Sequence, residues 1–176
     1  ASAWGGIALL KNHEVYNSTI VFDEVGKLLA LYDKIHLFRL FQNAKPVMDE
    51  TATYEAGEIK PCYFDYKSWR IALSICYDLR FPELYRQLPH CDLILCTAAF
   101  PQKTGEAHWE VLLRARAIEN QTYVLGVDQC GSNELDGRKA YGHSLAIDPW
   151  GEVLVDLQEE VKLELVGLKK EKIDYH

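Results

Sequence analysis

The chain has 176 residues, of which 48% are apolar and 26% are charged, a composition typical of a globular protein. Its net charge of −7 argues against nucleic acid or an anionic membrane as a partner. No apolar run is long enough to span a membrane, and the first residues lack the basic and apolar segments of a secretory signal. We therefore predict one domain over residues 1–176 and a cytoplasmic location.

The cysteines and histidines argue against a disulfide framework or a metal site. The five cysteines are odd in number and contain no Cys-x-x-Cys pair, and the six histidines contain no His-x-x-x-His spacing. We expect free thiols in a reducing compartment, no bound metal and no cofactor. The cysteines are Cys62, Cys76, Cys91, Cys96 and Cys130.

The first third of the chain is dominated by strand patterns. Apolar and β-branched runs predict strands at residues 7–10, 14–22 and 27–32. The Gly-containing turn at residues 23–26 predicts that the second and third strands form a hairpin. Residues 39–57 contain scattered proline, glycine and acidic residues, so we expect an irregular segment there.

The remaining chain alternates strands and helices. Strands are predicted at 69–75, 92–98 and 122–127, and helices at 82–87 and 107–120. This order favours parallel crossovers and an α/β fold. A second hairpin at 144–147 and 152–156 and a last strand at 161–166 complete the prediction. The first strand has no preceding helix and the tail at 169–176 is short, so we expect both ends of the domain to be truncated.

Cys76 is placed where a nucleophile is often found. It follows the apolar run at residues 71–75 and precedes a polar segment that contains Pro82. A strand-to-helix turn exposes a side chain and offers backbone N–H groups to an oxyanion. The alternative is that Cys76 is a small buried hydrophobic residue. His36, His108 and His143 are candidate bases by residue type only, because their spacing to Cys76 favours no dyad.

Lys34 is a candidate for oxyanion binding. It ends the hairpin strand and is followed by the aromatic-flanked segment at residues 35–38. An ammonium group at such a strand exit can stabilise a developing negative charge. The alternative is an ordinary surface lysine.

Four segments occur in an order that resembles the nitrilase, or carbon–nitrogen hydrolase, superfamily. They are residues 32–38 (YDKIHLF), 75–83 (ICYDLRFPE), 108–121 (HWEVLLRARAIENQ) and 142–152 (GHSLAIDPWGE). Together they cover most of the chain. Within the superfamily, the sequences of these four segments are most similar to those of the omega-amidase branch.

The resemblance implies a four-layer α-β-β-α sandwich, truncated here at both ends, and a Glu-Lys-Cys catalytic set. Cys76 matches the nucleophile, Lys34 the lysine that stabilises the tetrahedral intermediate, and the Tyr77 N–H the second oxyanion donor. Glu50 best matches a further acidic residue of the family, with Glu55 as the other candidate and a solvated loop carboxylate as the alternative interpretation. The family's general-base glutamate, in a Pro-Glu context ahead of the hairpin, has no match.

The resemblance also implies a substrate. We expect thiol-dependent hydrolysis of a small linear amide, such as the ω-amide of a dicarboxylate, with Arg80 binding its carboxylate and Phe100 shaping the acyl site. Arg80 could instead pair with Asp78 or Glu83, and Phe100 could simply pack in the core. Nitrilase activity, N-carbamoyl hydrolase activity and a catalytically incomplete scaffold are the alternative functions. The resemblance suggests a homodimer packed helix to helix.

Overall fold

The computed structural model describes residues 1–133 and 137–173, and it begins with a three-stranded antiparallel sheet. Its strands are β1 (Ser2–Lys11), β2 (Glu14–Phe22) and β3 (Leu28–Asp33). The predicted hairpin is confirmed, because the Asp23 N–H donates to the Lys27 carbonyl and β2 pairs with β3. β1 is longer than the predicted strand at 7–10. Lys34 is the first residue after β3, so this sheet fixes its position.

The expectation of an irregular segment at 39–57 was wrong in its first half. Residues Arg39–Gln42 (β4) and Lys45–Asp49 (β5) form an antiparallel hairpin, followed by a 3-10 helix at Glu50–Ala52. Asn43 and Ala44 both have positive φ, the conformation that a tight two-residue hairpin turn requires. The hairpin returns the chain so that the Glu50 N–H donates to the Phe38 carbonyl.

A six-stranded mixed sheet forms the larger part of the fold. The elements that follow the 3-10 helix are β6 (Cys62–Tyr66), β7 (Trp69–Ile75), α1 (Pro82–Arg86), β8 (Leu93–Ala98), α2 (Gln102–Asn120), β9 (Tyr123–Asp128), β10 (Cys130–Ser132), β11 (Lys139–Tyr141), β12 (Leu145–Ile147) and β13 (Val153–Asp156). The strand order is β13-β12-β9-β8-β7-β6, and β7, β8 and β9 are parallel to one another. The predicted parallel crossovers and the hairpin of β12 with β13 are therefore confirmed.

The helix α2 begins five residues before the predicted start, because Pro101 lies at its N-cap and the chain is already helical at Gln102. Its buried face is formed by Gly105, Trp109, Leu113, Arg116 and Ala117. The helix ends at Asn120, and the capping residue Gln121 adopts the left-handed conformation typical of a helix C-terminus. This face packs against β9, β11 and β12.

The two sheets pack face to face beneath the helices. Thr19 on β2 and Thr97 on β8 share a hydrogen bond of 3.0 Å across the interface. The backbone of Gly5 approaches Thr97 so closely that a Cβ there would lie 2.1 Å from its hydroxyl oxygen. The fold is the expected α/β class, with helix, sheet and sheet layers as the resemblance implies. In the part of the chain that the structure describes, no helix covers the outer side of the three-stranded sheet.

The predicted strand at 161–166 was wrong. This segment has no regular secondary structure, and Val161, Leu163 and Leu165 are almost fully exposed. The alternation that suggested a strand is present, but none of the described strands pairs with it. No helix within residues 1–133 and 137–173 is long and apolar enough to cross a membrane.

Candidate active site

Cys76 occupies a strained turn at the end of a central strand. It follows β7 directly, has a φ of 50° and opens a 3-10 helix that spans Cys76–Arg80. A non-glycine residue in this conformation costs on the order of 1–3 kcal/mol, so the surrounding contacts must hold it. Tyr77 lies in the first turn of the 3-10 helix, where backbone N–H groups have no partner within the helix. The turn therefore places the thiol beside a backbone N–H that has no partner within the helix.

Asp78 holds this turn and links it to the other sheet. Its buried carboxylate accepts hydrogen bonds from the Ile75 N–H (2.9 Å), the Tyr32 hydroxyl (2.7 Å) and the His36 N–H (3.0 Å). The Nδ1 atom of His36 lies 2.8 Å from the same carboxylate, and the ring stacks on Phe81. Desolvation, followed by the nearby Asp78 charge, raises the pKa of Tyr32 far above its usual value. Asp78 thus ties the lysine segment to the cysteine turn.

Arg116 supports the turn from the helix layer. Although it is buried, its guanidinium donates two hydrogen bonds to the Leu79 carbonyl and pairs with Glu119. A planar cation with several donors can satisfy a carbonyl and a carboxylate at once. Sequence reasoning did not single out Arg116, because an arginine in an amphipathic helix usually faces solvent.

Lys34 is buried rather than on the surface, with 1% of its side chain exposed. Its Nζ lies 2.5 Å from Glu50 Oε2, and the same oxygen accepts a hydrogen bond from the Phe38 N–H at 2.6 Å. Glu55, the other candidate, is exposed, and its N–H donates to the Val15 carbonyl. The β4–β5 hairpin is what brings Glu50, rather than Glu55, to the lysine.

The thiol of Cys76 is in an environment that disfavours its charged form. Burial raises its pKa to about 11, and the carboxylates of Glu50 and Asp128 act in the same direction. The Lys34 ammonium opposes this shift. The thiol is therefore protonated at neutral pH, and nucleophilic attack requires a group that accepts its proton.

All six residues predicted for the site line one small cavity of about 40 Å³. Cys76, Lys34, Glu50, Tyr77, Arg80 and Phe100 are joined there by Phe38, Met48, Ala99, Pro101 and Thr104. A second cavity of about 290 Å³ shares Cys76, Lys34, Glu50 and Ala99 with the first. The three proposed catalytic side chains therefore lie where the two cavities meet.

Arg80 faces the small cavity and does not form the ion pairs considered from sequence. Its Nη2 lies 3.1 Å from His108 Nδ1, and its guanidinium lies 5.8 Å from the Tyr77 ring centre and 5.9 Å from that of Phe100. Within the described residues we find no ion pair between Arg80 and Asp78 or Glu83. Phe100 is buried and packs on Trp109, so it serves the core and lines the cavity at once.

None of the three candidate histidines lines either cavity. His36 binds Asp78, His108 contacts Arg80, and His143 lies 3.0 Å from Asp156. Four polar residues that line the larger cavity were missed from sequence: Asn17, Thr97, Asp128 and Gln129. Asp128 carries a signal that could have been used, because it directly follows the predicted strand at 122–127, at the same edge of the sheet as Cys76.

Other cavities in the protein are weaker candidates for an active site than the two around Cys76. A cavity of about 440 Å³ lies between the turn at 148–150 and residues 169–172, but no cysteine or histidine lines it. The described residues contain no group of three or more histidine, cysteine or acidic side chains arranged to hold a metal. A cavity of about 390 Å³ also holds a cysteine, a lysine and carboxylates, but its Lys60–Glu58 pair is exposed, whereas Lys34 beside Cys76 is buried.

Comparisons with known proteins agree with this geometry. The family described as carbon-nitrogen hydrolase matches residues 2–170. A deaminated glutathione amidase of Dictyostelium discoideum is 45% identical over 154 residues, which cover 85% of this chain and 52% of that protein. The crystal structure of the Caenorhabditis elegans NitFhit protein superposes with a TM-score of 0.89 at 36% identity, covering 98% of this chain and 43% of that one.

A second similar structure comes from an amidase with a modified cysteine. It is a variant of the amidase from Nesterenkonia sp. AN1, solved with acrylamide added at the active-site cysteine. It superposes with a TM-score of 0.75 at 28% identity, covering 91% of this chain and 59% of that one. The chain spans about half the length of the curated relatives that it matches.

Proposed function

The chain belongs to the carbon-nitrogen hydrolase family, and from that premise we propose that the protein hydrolyses a small linear amide through a thioester on Cys76. The observation that carries the proposal is the meeting of Cys76, Lys34 and Glu50 at one cavity, with the Lys34 ammonium 2.5 Å from the Glu50 carboxylate. A nucleophile, an oxyanion-binding cation and a carboxylate are the groups that acyl transfer requires.

The first half of the reaction forms the thioester. The sulfur of Cys76 attacks the amide carbon, and the carbonyl electron pair moves to oxygen. The Lys34 ammonium and the Tyr77 N–H stabilise that oxyanion, a contribution that typically amounts to 10²–10³ in rate for one donor. As the intermediate collapses, the C–N bond breaks and its electron pair remains on nitrogen, which leaves as ammonia or an amine after it gains a proton.

The second half releases the acid. Water attacks the thioester carbon, its proton is accepted by a base, and the C–S bond breaks to return the cysteine. Since the pKa of Cys76 is raised to about 11, a base must also take the thiol proton at the start. By resemblance this base is a glutamate ahead of the hairpin, for which these 176 residues contain no match.

The substrate that we propose is the amide of a 2-oxo dicarboxylic acid. Arg80, at the wall of the small cavity, is the cation that would bind the carboxylate. Relatives named deaminated glutathione amidase support this class, because deaminated glutathione joins a 2-oxoglutaryl group to a dipeptide through an amide. It shares its acyl group with 2-oxoglutaramate and differs only in the leaving amine.

The test is to measure turnover of deaminated glutathione and of 2-oxoglutaramate by the protein and by its Cys76→Ala variant. We expect hydrolysis of at least one of them by the wild type and loss of turnover in the variant, with an unchanged far-UV spectrum. A thioester adduct, trapped by acid quench and located at Cys76 by mass spectrometry, would show the covalent step directly.

A control variant separates chemistry from folding. Cys62→Ala removes a half-buried thiol that lies outside both cavities and should leave turnover unchanged. Turnover that survives in Cys76→Ala would disprove the mechanism. If the protein hydrolyses a nitrile or an N-carbamoyl compound and neither amide, its activity is that of a nitrilase or an N-carbamoyl hydrolase instead.

A further inference from the structure

Asp128 is the one remaining carboxylate that lines the cavity around Cys76, among the residues that the structure describes. It is the last residue of β9 and is 7% exposed. One of its oxygens, Oδ1, accepts a hydrogen bond of 2.8 Å from the Phe100 N–H. The other, Oδ2, is buried and has no hydrogen-bond partner among the described residues.

An unpartnered buried carboxylate oxygen is costly, so its presence beside a nucleophile calls for an explanation. The N–H groups of Phe100, Gly142 and Gln129 lie near the carboxyl and lower its pKa, against the larger opposite effect of burial. The Gly142 N–H, however, donates its hydrogen bond to the Gln129 carbonyl at 3.0 Å. The backbone therefore holds one side of the carboxyl and leaves Oδ2 available to a bound molecule.

The strand register places this carboxyl level with the nucleophile. Ala98 on β8 is paired with Asp128 on β9, and Ile75, directly before Cys76, is paired with Thr97, directly before Ala98. Cys76 and Asp128 therefore end strands that are two apart, about 10 Å between backbones at ~4.8 Å per strand. The residue between them is alanine, whose small side chain leaves room for a substrate.

We propose that Asp128 is a substrate-contacting residue whose Oδ2 accepts a hydrogen bond from the N–H of the scissile amide. This inference rests on the amidase function proposed above. The oxyanion of the intermediate is directed at Lys34, which lines the same cavity as Asp128, and at the Tyr77 N–H in the adjoining smaller cavity. The nitrogen then projects toward β9, where a carboxylate oxygen meets its hydrogen. Asp128 would thus distinguish amides from oxygen-linked analogues.

The electrostatics agree with a carboxyl that faces the thiol. Burial raises the pKa of Asp128 from 3.8 to about 7, so the group is partly ionised at neutral pH. Its charge in turn raises the pKa of Cys76. The other charged groups at this cavity are Lys34 and Glu50, which neutralise each other as an ion pair.

The experiment compares an amide with the ester of the same acyl group, because the ester has no N–H to donate. In Asp128→Asn, Oδ1 can still accept from Phe100, while an amide N–H₂ group replaces the free oxygen. We expect kcat/KM for the amide to fall about tenfold or more, the scale of losing one hydrogen bond to a charged group, and kcat/KM for the ester to change less than about twofold. Asp65→Asn, at an exposed position on β6, is the matched control and should alter neither.

An equal loss for amide and ester, or no loss for either, would overturn the role of Asp128 while leaving the amidase function standing. If the function itself is wrong, Cys76→Ala retains turnover, so the two failures are distinguishable. Alkylation of Cys76 by iodoacetate and iodoacetamide gives a readout that needs no turnover. At pH 8.5 the iodoacetate-to-iodoacetamide rate ratio should rise several-fold in Asp128→Asn, and at pH 5.5 it should match the wild type. An unchanged ratio at pH 8.5 would also overturn the proposal.

Discussion

Two walls of the same cavity each carry a carboxylate, half-buried in Glu50 and buried in Asp128, and the two are satisfied in opposite ways. On the wall formed by residues 34–50, Glu50 is held by the Lys34 ammonium and the Phe38 N–H. On the wall formed by residues 98–128, Asp128 has one oxygen on the Phe100 N–H and no cation within hydrogen-bonding distance in the described chain. On the first wall the Lys34 ammonium compensates the charge of Glu50. On the second wall the raised pKa of Asp128 leaves that carboxyl partly neutral.

The difference shows how a small cavity can contain two acidic groups without excessive repulsion. A paired carboxylate remains ionised and holds its lysine in position, whereas a carboxyl with a raised pKa changes its charge within the physiological range. The first wall is thus suited to a constant electrostatic role. The second wall is suited to contacts that depend on pH or on the bound molecule.

The largest expected effect comes from breaking the pair on the first wall. Lys34→Met keeps the side-chain length but removes the cation, leaving Glu50 in a mostly buried site without its partner. We expect kcat/KM to fall by about 10³-fold or more and the free energy of unfolding to fall by roughly 3 kcal/mol. Steady-state kinetics and urea unfolding are the measurements.

The double variant Lys34→Met with Glu50→Gln tests whether the stability loss arises from the unpaired carboxylate. Neutralising both partners should recover most of the unfolding free energy and none of the activity. A double variant as unstable as Lys34→Met alone would mean that packing, rather than charge pairing, holds this wall.

An intermediate effect is expected from pH on the second wall. Because the pKa of Asp128 is raised on folding, its contribution to stability is present below about pH 4 and is lost as pH rises through about 7. Asp128→Asn has no such dependence. The unfolding free energy of the wild type should therefore decline relative to that of the variant between about pH 4 and 8, by at most about 4 kcal/mol. Parallel stability curves for the two proteins would show that this carboxyl titrates normally.

The smallest effect is expected at Arg80, which in the described chain is hydrogen-bonded neither to the Lys34–Glu50 pair nor to the carboxyl of Asp128. Arg80→Gln should raise KM for carboxylate-bearing amides by about 10–100-fold, the scale of a charge-assisted hydrogen bond, with a smaller change in kcat. A neutral amide such as butyramide should lose little. Equal losses for charged and neutral amides would assign Arg80 to holding the cysteine turn instead.

The parallel strands were predictable because each is a largely apolar run, most of whose residues are buried or half-buried. β7 matches its prediction at both ends, and Cys76 follows from its position after that run. The chain after β3 was harder to read. Proline at position 46 suggested a loop, and nothing local indicated that Asn43 and Ala44 would both adopt positive φ and close a hairpin. The meeting of Glu50 with Lys34 depends on that turn.

Two other features could not be read from local patterns. Alternating apolar residues at 161–166 satisfy the strand pattern, but a strand also requires a neighbour, and pairing is a property of the tertiary fold. Asp128 appears in sequence as a lone acidic residue after an apolar strand. Its significance comes from the register that sets it level with Cys76, which is fixed by the parallel pairing of β7, β8 and β9.

The hydrogen bonds of Asp78 have a consequence for how this protein tolerates substitution. One buried carboxylate binds Ile75 next to the cysteine and both Tyr32 and His36 around the lysine. A substitution in the lysine segment therefore alters the hydrogen bonds that also hold the cysteine turn, and the reverse is equally true. Substitutions in the lysine segment and in the cysteine turn should consequently show strong epistasis, and variants that are neutral one at a time need not be neutral in combination.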